Sequence, residues 1–390
     1  MSPLTPKLSV LLLATSVVAG CSGDGGANCS IDGDEFGPNA KVAPSIGPDN
    51  AGALPPGPTD SIAVAGDGEY TIVRVFYATD RGRTGSSDPD DFYCGDFASL
   101  EYGRVEVSIP STHESGELEG PSILRFEFRA DPDKHIVLNS VEPILKNDFF
   151  RAVRDSMEVA DSREAFVFIH GYNVSFHAAA RRAAQLAHDL EFAGVPFFYS
   201  WPSDGKLLRY AADEQDVRLT VPNLTSFLTD VVRLTDAERV HIVAHSMGSR
   251  ALAAALTEIG RDVSEPLFGE VIFAAPDIDA REFRTMIAPA IVGTAERITL
   301  YASSNDKALG LSQFLHNYPR AGDSGEALTV VEGIETIDAS VIDTSLLGHS
   351  YFADAAKLVS DLLAIVRDGS SPSARSLEAQ EKGGITYWLF

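Results

Sequence analysis

The chain has 390 residues, 44% of them hydrophobic, which is enough to build one large domain around a buried core and excludes a largely disordered protein. The formal net charge is −25, from 56 acidic and 31 basic residues. Because such a surface repels phosphate backbones, we expect no nucleic-acid partner.

The N-terminal residues predict export. Residues 1–20 combine Lys7, an apolar run too short to span a membrane comfortably, and small residues before Cys21. Residues 18–21, Val-Ala-Gly-Cys, resemble the bacterial lipobox, whose cysteine is acylated; an ordinary cleaved signal is the alternative. Acylation of Cys21 would anchor the protein to a membrane, and Ser22 favours the outer membrane in a cell that has one. We therefore expect a lipid-anchored protein of the cell envelope, or a secreted one.

Composition divides the chain into three segments. After the signal peptide at 1–20, residues 21–60 read as a flexible tether rich in Gly, Pro and Asp, and residues 61–390 as one globular domain. Cys29 lies in the tether and Cys94 in the domain. An oxidising compartment permits a disulfide between them, and free cysteines are the alternative.

The domain opens with strand-like runs that predict antiparallel pairing. They cover residues 70–78, 104–110, 123–129 and 135–141, with turn-forming stretches between them. A helical pattern follows at 147–160.

Beyond residue 160, short apolar runs alternate with longer amphipathic segments, which is the pattern of a parallel sheet. Because the runs are hydrophobic without interruption, we expect helices to cover both faces of this sheet. A helix is predicted within 175–194, and Pro222 should break the 204–235 segment, which is a candidate cap over the site. Strands are predicted at 165–171, 196–201, 239–246, 270–276, 297–303 and 328–338, and a closing helix at 354–366.

The most specific motif lies at residues 240–248, where an apolar strand runs directly into Ser246-Met247-Gly248 and a helix-forming segment. This pattern is typical of a nucleophile elbow, in which a sharp strand-to-helix turn exposes the serine hydroxyl above the sheet. Ala244 replaces the first glycine of the G-x-S-x-G pattern, an added methyl group that the turn can tolerate. Ser246 is therefore the predicted nucleophile.

A serine nucleophile needs a base and an acid that orients the base, in the chain order Ser, acid, His. Only His316 and His349 follow Ser246, and His349 is favoured because it lies in a loop after the last predicted strand. Asp306 follows the strand at 297–303 and is the favoured acid. The alternative acid, Asp277, and its neighbour Asp279 could instead cap a helix or shape the pocket.

The tetrahedral intermediate needs backbone N–H donors. Met247, directly after the serine, is predicted to supply one. The second is expected from the His170-Gly171-Tyr172-Asn173 turn after the strand at 165–171, with Tyr172 as first choice and Asn173 next. His170 precedes the serine in the chain, so it is expected to be a structural hydrogen-bonding residue.

The sequence contains no H-E-x-x-H motif, no paired C-x-x-C motif and no glycine-rich phosphate loop. We therefore expect neither a metal site nor a nucleotide cofactor.

Taken together, the motifs resemble a family of bacterial α/β-hydrolases of unknown function within the esterase/lipase superfamily. The resemblance implies an α/β fold, with a mostly parallel central sheet, antiparallel N-terminal strands and helices on both faces. It also implies carboxylester hydrolysis, with Ser246, Asp306 and His349 at the triad positions. The matching stretches are VFYATDR (75–81), YGRVEVSIPSTH (102–113), FVFIHGYNVSF (166–176), FFYSWPSDG (197–205), VHIVAHSMGSRAL (240–252), VIFAAPDID (271–279), LYASSNDKAL (300–309) and IDASVIDTSLLGHSYF (337–352).

The expected activity is hydrolysis of small-molecule carboxylic esters through an acyl-enzyme on Ser246. A thioesterase, an amidase or an acyltransferase would use the same residues. A non-catalytic envelope lipoprotein with a hydrolase-like fold is the alternative from a different class, because a fold alone does not define a function.

Overall fold

A computed structural model describes residues 63–66, 68–121, 127, 129–203, 210–304, 318–341 and 352–390. The predicted residues Cys21, Cys29, Asp306 and His349, together with the alternative base His316, lie outside the described residues. Among the helices of the described ranges, none has the length and apolar character needed to cross a membrane.

Within these ranges the chain forms one twelve-stranded sheet. Its strands are β1 (Ala63–Ala65), β2 (Tyr70–Arg83), β3 (Tyr93–Pro110), β4 (Val137–Ile144), β5 (Glu164–Ile169), β6 (Val195–Ser200), β7 (Arg239–His245), β8 (Phe268–Ala274), β9 (Ala295–Ala302), β10 (Glu335–Asp338), β11 (Glu378–Lys382) and β12 (Ile385–Leu389).

The helices lie mostly between consecutive strands, as expected for parallel connections. They are α1 (Lys146–Val159), α2 (Phe176–Asp189), α3 (Tyr210–Leu219), α4 (Val221–Leu234), α5 (Gly248–Ile259), α6 (Ala280–Glu282), α7 (Ala288–Ile291) and α8 (Phe352–Val366). A π-helical turn at Phe283–Ile287 joins α6 to α7.

The sheet order is β11-β12-β10-β9-β8-β7-β5-β6-β2-β3-β4, with β1 paired to β2. Strands β2, β6, β5, β7, β8, β9, β10 and β12 run parallel to one another. The strands β1 to β4 pair in antiparallel fashion. The predicted fold class, a mostly parallel sheet with an antiparallel opening, is therefore confirmed.

Alternation of side chains along the strands produces two hydrophobic cores, one on each face of the sheet. In β5, Val167 belongs to the core that α1, α4 and α5 cover, whereas Phe168 belongs to the core that α2 and α8 cover. Both side chains are almost fully buried. This arrangement explains why the central strands are largely hydrophobic on both faces.

The strand order changes direction at β5. From β5 the chain passes to β6 on one side and then crosses to β7 on the other side. In open parallel sheets, such a switch point opens a crevice at the carboxyl ends of the strands, where ligands bind. The loop that follows β5 and the turn that follows β7 are therefore neighbours at the expected place for a site.

Two details of the C-terminal part differ from the sequence-based expectation. The last predicted strand, 328–338, is a strand only over Glu335–Asp338. Residues 328–334 instead form a loop in which Thr329 is buried, after a 3-10 turn at Gly325–Ala327. The chain end, which had no assigned element, forms the hairpin β11–β12, and β12 adds to the sheet beside β10.

Pro222 has the predicted effect on the described part of the 204–235 segment. Helix α3 ends at Leu219, and α4 begins at Val221 with Pro222 in its first turn. Proline is tolerated at that position because the first N–H groups of a helix have no intrahelical partner.

Candidate active site

Ser246 lies in a sharp turn between β7 and α5, and its backbone has a positive φ of 49°. Non-glycine residues rarely adopt this conformation, and where they do the strain is held by surrounding contacts. Here the Ser246 N–H donates to Ala274 O at 2.9 Å, and the Ser246 carbonyl accepts from Asp277 N at 3.1 Å. The backbone N–H and carbonyl of the serine are therefore held by the last residue of β8 and by the loop that follows β8.

The loop after β5 packs directly on this turn. A Cβ atom at Gly171 would lie 3.0 Å from Ser246 Cβ and 2.7 Å from His245 Nδ1. A Cβ atom at Gly248 would lie 2.2 Å from the carbonyl oxygen of His170. The sequence therefore needs glycine at both positions, because any side chain would separate the loop from the nucleophile turn.

Of the two predicted oxyanion residues, Met247 directly follows Ser246, and Tyr172 directly follows Gly171, which packs on Ser246. Met247 is fully buried and occupies the N-cap position of α5, where backbone N–H groups lack intrahelical acceptors. Tyr172 directly follows Gly171 and is 7% exposed, with its ring in an edge contact with Tyr210 at 5.2 Å. Burial raises the pKa of the Tyr172 phenol to about 12, so this side chain stays neutral at physiological pH.

His170 is structural, as predicted. It is completely buried, its ring stacks on Trp201 at 5.2 Å, and its Nδ1 lies 2.8 Å from the Gly171 carbonyl. Burial, together with the charge of Arg81, holds the pKa of His170 well below its usual range. A histidine held neutral in this way, away from solvent, is poorly suited to take a proton from Ser246.

Asp277, the alternative acid, already has other partners. Its carboxylate accepts from the Tyr210 hydroxyl at 2.5 Å, and it forms ion pairs with Arg250 at 3.1 Å and Arg320 at 3.3 Å. Asp279 accepts from the backbone N–H groups of Arg281 and Glu282 and so caps α6. These contacts give both aspartates the structural roles that the sequence had left open.

The last described residues before the segments that contain Asp306 and His349 lie close to one another. Ser304 N donates to Ser340 Oγ at 3.0 Å, just beyond the carboxyl ends of β9 and β10. Ala339 N donates to Ala302 O at 2.8 Å and joins the same two strand ends. These points lie at the same edge of the sheet as Ser246, two and three strands along from β7.

A cavity of about 300 Å³ lies between α3, α4 and α5. Val217, Arg250 and Glu258 are among its lining residues, whereas Ser246, Met247 and Tyr172 are not. We therefore do not assign this cavity to the acyl group of a substrate.

Buried charged side chains that were not predicted from the sequence support the site. Arg81 at the end of β2 is 2% exposed and lies below the His170 loop. Arg250 on α5 reaches Glu214 at 2.8 Å and Tyr210 at 2.8 Å, and so ties α3 to the nucleophile helix. The signal in the sequence is faint: each arginine lies beside a motif, at the end of a strand or one turn into a helix.

Cys94 is buried and takes part in a disulfide bond. The chain's other cysteines, Cys21 and Cys29, are outside the described residues, so the pairing of Cys94 with Cys29 stays a prediction.

A family model described as an alpha/beta hydrolase of unknown function (DUF900) matches residues 146–367. The chain therefore belongs to this α/β-hydrolase family. The match includes the Ser246 turn and the His170 loop, and it extends over the segments that carry Asp306 and His349.

Individual proteins are less similar. An uncharacterized protein of Nostoc sp. is 27% identical over 122 residues, which cover 25% of this chain and only 32% of that protein. A predicted CIB-like hydrolase from Thermoplasma acidophilum is 13% identical and covers 60% of this chain and 93% of its own, with a TM-score of 0.34. An esterase from Pyrobaculum calidifontis is 11% identical and covers 54% of this chain and 78% of its own, with a TM-score of 0.31.

Proposed function

We propose that this protein is a serine carboxylesterase that forms an acyl-enzyme on Ser246. The observation that carries the proposal is the Ser246 turn, which combines a positive φ of 49° with close packing against the Gly171 loop. Strained residues of this kind cluster at functional sites, where the strain can be part of the mechanism. Membership in an α/β-hydrolase family supports the same class of chemistry.

The proposed reaction has two steps. Ser246 Oγ attacks the ester carbonyl carbon while His349 accepts the hydroxyl proton, and the carbonyl oxygen becomes an oxyanion that accepts from Met247 N–H and Tyr172 N–H. The bond to the alcohol oxygen then breaks, and His349 returns the proton to the leaving alcohol. Water, deprotonated by the same imidazole, attacks the acyl-enzyme and releases the acid. Asp306 is proposed to orient His349.

Two observations favour Asp306 over Asp277 as the acid. The carboxylate of Asp277 is committed to two arginines and a tyrosine hydroxyl. The chain segments that contain Asp306 and His349 start from adjacent strand ends, joined by the Ser304–Ser340 hydrogen bond of 3.0 Å.

The cellular setting is proposed from the sequence motif at residues 18–21. Lipidation of Cys21 would hold the protein in the cell envelope, with residues 21–60 as a tether between membrane and domain. The proposed substrate is a small ester that reaches the domain from solution.

The test is hydrolysis of p-nitrophenyl acetate, butyrate and octanoate by the purified protein and by Ser246→Ala, Asp306→Ala and His349→Ala. Ser249→Ala is the matched control, because Ser249 lies on the same helix but its hydroxyl donates to Ala244 O at 3.2 Å. We expect turnover to be lost in the first and third variants, to fall by about 100-fold or more in the second, and to remain in the control. A folded protein that hydrolyses none of these esters would contradict the proposal. If it hydrolyses thioesters or amides instead, the protein is a thioesterase or an amidase that uses the same residues.

A further inference from the structure

A buried arginine lies directly below the loop that follows β5. Arg81 uses each of its five N–H donors in this structure. Nε donates to Ser200 Oγ at 2.8 Å, and Nη1 donates to the carbonyls of Cys94 and Ser203 at 3.2 and 2.9 Å. Nη2 donates to the carbonyl of Val174 at 2.7 Å and faces Nε2 of His170 at 3.4 Å. The guanidinium group therefore joins three segments of chain around the His170 loop.

The contact with Arg81 determines which nitrogen of His170 carries the proton. A guanidinium group has donors only and does not lose its proton in proteins, so His170 Nε2 must be the acceptor. Ser200 Oγ, which accepts from Arg81 Nε, is free to donate its own hydrogen to the same Nε2 at 3.1 Å. A neutral imidazole has one donor and one acceptor, so the proton lies on Nδ1.

The proton on Nδ1 in turn fixes the peptide between Gly171 and Tyr172. His170 Nδ1 lies 2.8 Å from the carbonyl oxygen of Gly171 and can therefore donate to it. In a planar trans peptide the carbonyl and the N–H of the following residue point in opposite directions. Holding the Gly171 carbonyl toward His170 therefore turns the Tyr172 N–H away from His170.

We infer that Arg81 is a positioning residue for the oxyanion hole: it fixes the tautomer of His170, and His170 then fixes the direction of the Tyr172 N–H. The inference rests on the proposed function, since it assigns this N–H to the oxyanion of an ester intermediate. Arg81 itself does not touch the reacting atoms.

The remaining contacts of the loop support the same role. Trp201 Nε1 donates to the His170 carbonyl at 2.8 Å, and the two rings are stacked. Val174 N donates to Ser203 Oγ at 3.3 Å, while Val174 O accepts from Arg81. Burial and the nearby guanidinium charge both lower the pKa of His170 and keep the ring neutral. A neutral imidazole carries a single N–H proton, so it has a defined tautomer.

The kinetic test uses two substitutions that mimic the two ring nitrogens. The side-chain amide of asparagine can place its NH₂ near the position of Nδ1, whereas that of glutamine reaches the position of Nε2. We expect His170→Asn to keep kcat within about 10-fold of the unchanged protein. We expect His170→Gln to lose 100-fold or more in kcat with KM changed by less than about 3-fold, because removal of one oxyanion donor has an effect of that size. Equal kcat values in the two folded variants would overturn the inference.

A second pair separates the role of Arg81 from general destabilisation. Arg81→Met should lower kcat by at least 10-fold at unchanged KM. Arg182→Met is the matched control, because Arg182 is also buried but lies on α2 and donates to Gly116 O and Gln185 Oε1, away from the His170 loop. If both variants lower kcat equally at a temperature where both are folded, Arg81 is merely structural and the inference fails.

The closing experiment requires no variant and no activity. His170 follows Ile169, and this is the only isoleucine–histidine pair in the sequence. Labelling with carbonyl ¹³C-isoleucine and uniformly ¹³C,¹⁵N-labelled histidine therefore identifies the His170 backbone amide, and through-bond correlations from that amide assign its ring nitrogens in the intact protein. We expect a protonated Nδ1 and an unprotonated Nε2 from pH 5.5 to 8; a protonated Nε2 would overturn the inference. Failure of the protein to cleave esters would instead contradict the proposed function, so the two failures are distinguishable.

Discussion

Gly171 and Ser246 are in van der Waals contact across the switch point of the sheet, so closely that a Cβ atom on Gly171 would lie 3.0 Å from the Cβ atom of Ser246. They lie at the carboxyl ends of the neighbouring parallel strands β5 and β7. The contact joins the loop that would supply one oxyanion donor to the turn that supplies the nucleophile. Several consequences can be measured.

Gly171→Ala should damage the site more than the fold. The new methyl group would push against His245 Nδ1 and Ser246 Cβ, and overpacking of this kind costs about 1–3 kcal/mol. Because the loop and the nucleophile turn would move apart, we expect kcat to fall by about 100-fold. Gly293→Ala is the control, since nothing lies within 4 Å of its added Cβ atom. If Gly171→Ala lowers kcat no more than Gly293→Ala does, this contact has no part in catalysis.

The strained backbone of Ser246 predicts a difference between two inactive variants. Alanine at φ 49° retains the steric cost of the left-handed region, whereas glycine does not. After allowing for the greater freedom of glycine in the unfolded chain, we expect Ser246→Gly to be about 1 kcal/mol more stable than Ser246→Ala. Urea unfolding of the two proteins measures the difference. A more stable alanine variant would mean that the turn is not strained.

Asp277→Asn tests the structural role of this buried carboxylate. The substitution leaves Arg320, whose side chain is 6% exposed, without the opposite charge 3.3 Å away, and breaking a buried pair costs about 3–5 kcal/mol. We expect a loss of about 3 kcal/mol in the free energy of unfolding, with kcat in the folded variant reduced less than 10-fold. Asp279→Ala, which removes only a helix cap, should cost about 1 kcal/mol. A folded Asp277→Asn protein as inactive as His349→Ala would make Asp277 the catalytic acid.

His113 predicts a pH dependence of stability. Its Nδ1 lies 2.8 Å from Glu119 and its Nε2 lies 2.7 Å from Asp189 at the end of α2. Burial alone would lower the pKa of His113, but the hydrogen bonds to Asp189 and Glu119 outweigh it and raise the pKa to about 9. Because the folded pKa exceeds the unfolded value of about 6.5, the stabilisation is complete below that pH and disappears as the pH rises through 9.

The measurement is the free energy of unfolding of the unchanged protein and of His113→Gln at several pH values. We expect His113→Gln to be less stable than the unchanged protein by on the order of 2 kcal/mol at pH 6, a value that allows for solvent screening of the charges. At pH 9.5 the difference should be smaller. A difference independent of pH would show that His113 is neutral in the folded protein.

The parts of the fold that depend on hydrophobic patterning follow from the sequence. The runs that became β5, β7, β8 and β9 are rich in apolar residues because both faces of each strand are largely buried. The Ser246 elbow was predicted for a related reason, since a buried strand followed directly by Ser-Met-Gly and a helix is a local pattern. The nucleophile turn is therefore predictable from nine consecutive residues, 240–248.

Other features depend on contacts between distant residues. The sequence around Arg81 does not show that its side chain lies under the loop after β5. In the structure Arg81 donates to the carbonyl of Val174, which is 93 positions away in the chain. The β11–β12 hairpin was missed because both strands are only five residues long and β11 is polar, although Gly383 and Gly384, both with positive φ, are a typical two-residue hairpin turn. Its place in the sheet depends on the pairing of β12 with β10, which no local pattern reveals.

The central claim is that Ser246 is an activated nucleophile, and covalent labelling tests it most directly. The purified protein would be incubated with a fluorophosphonate, digested, and the modified residue identified by mass spectrometry, with Ser246→Ala and His349→Ala treated in parallel. We expect one adduct, on Ser246, that is absent from the first variant and formed at least 100-fold more slowly in the second. A folded protein that remains unlabelled, or carries its adduct on another serine, would contradict the account.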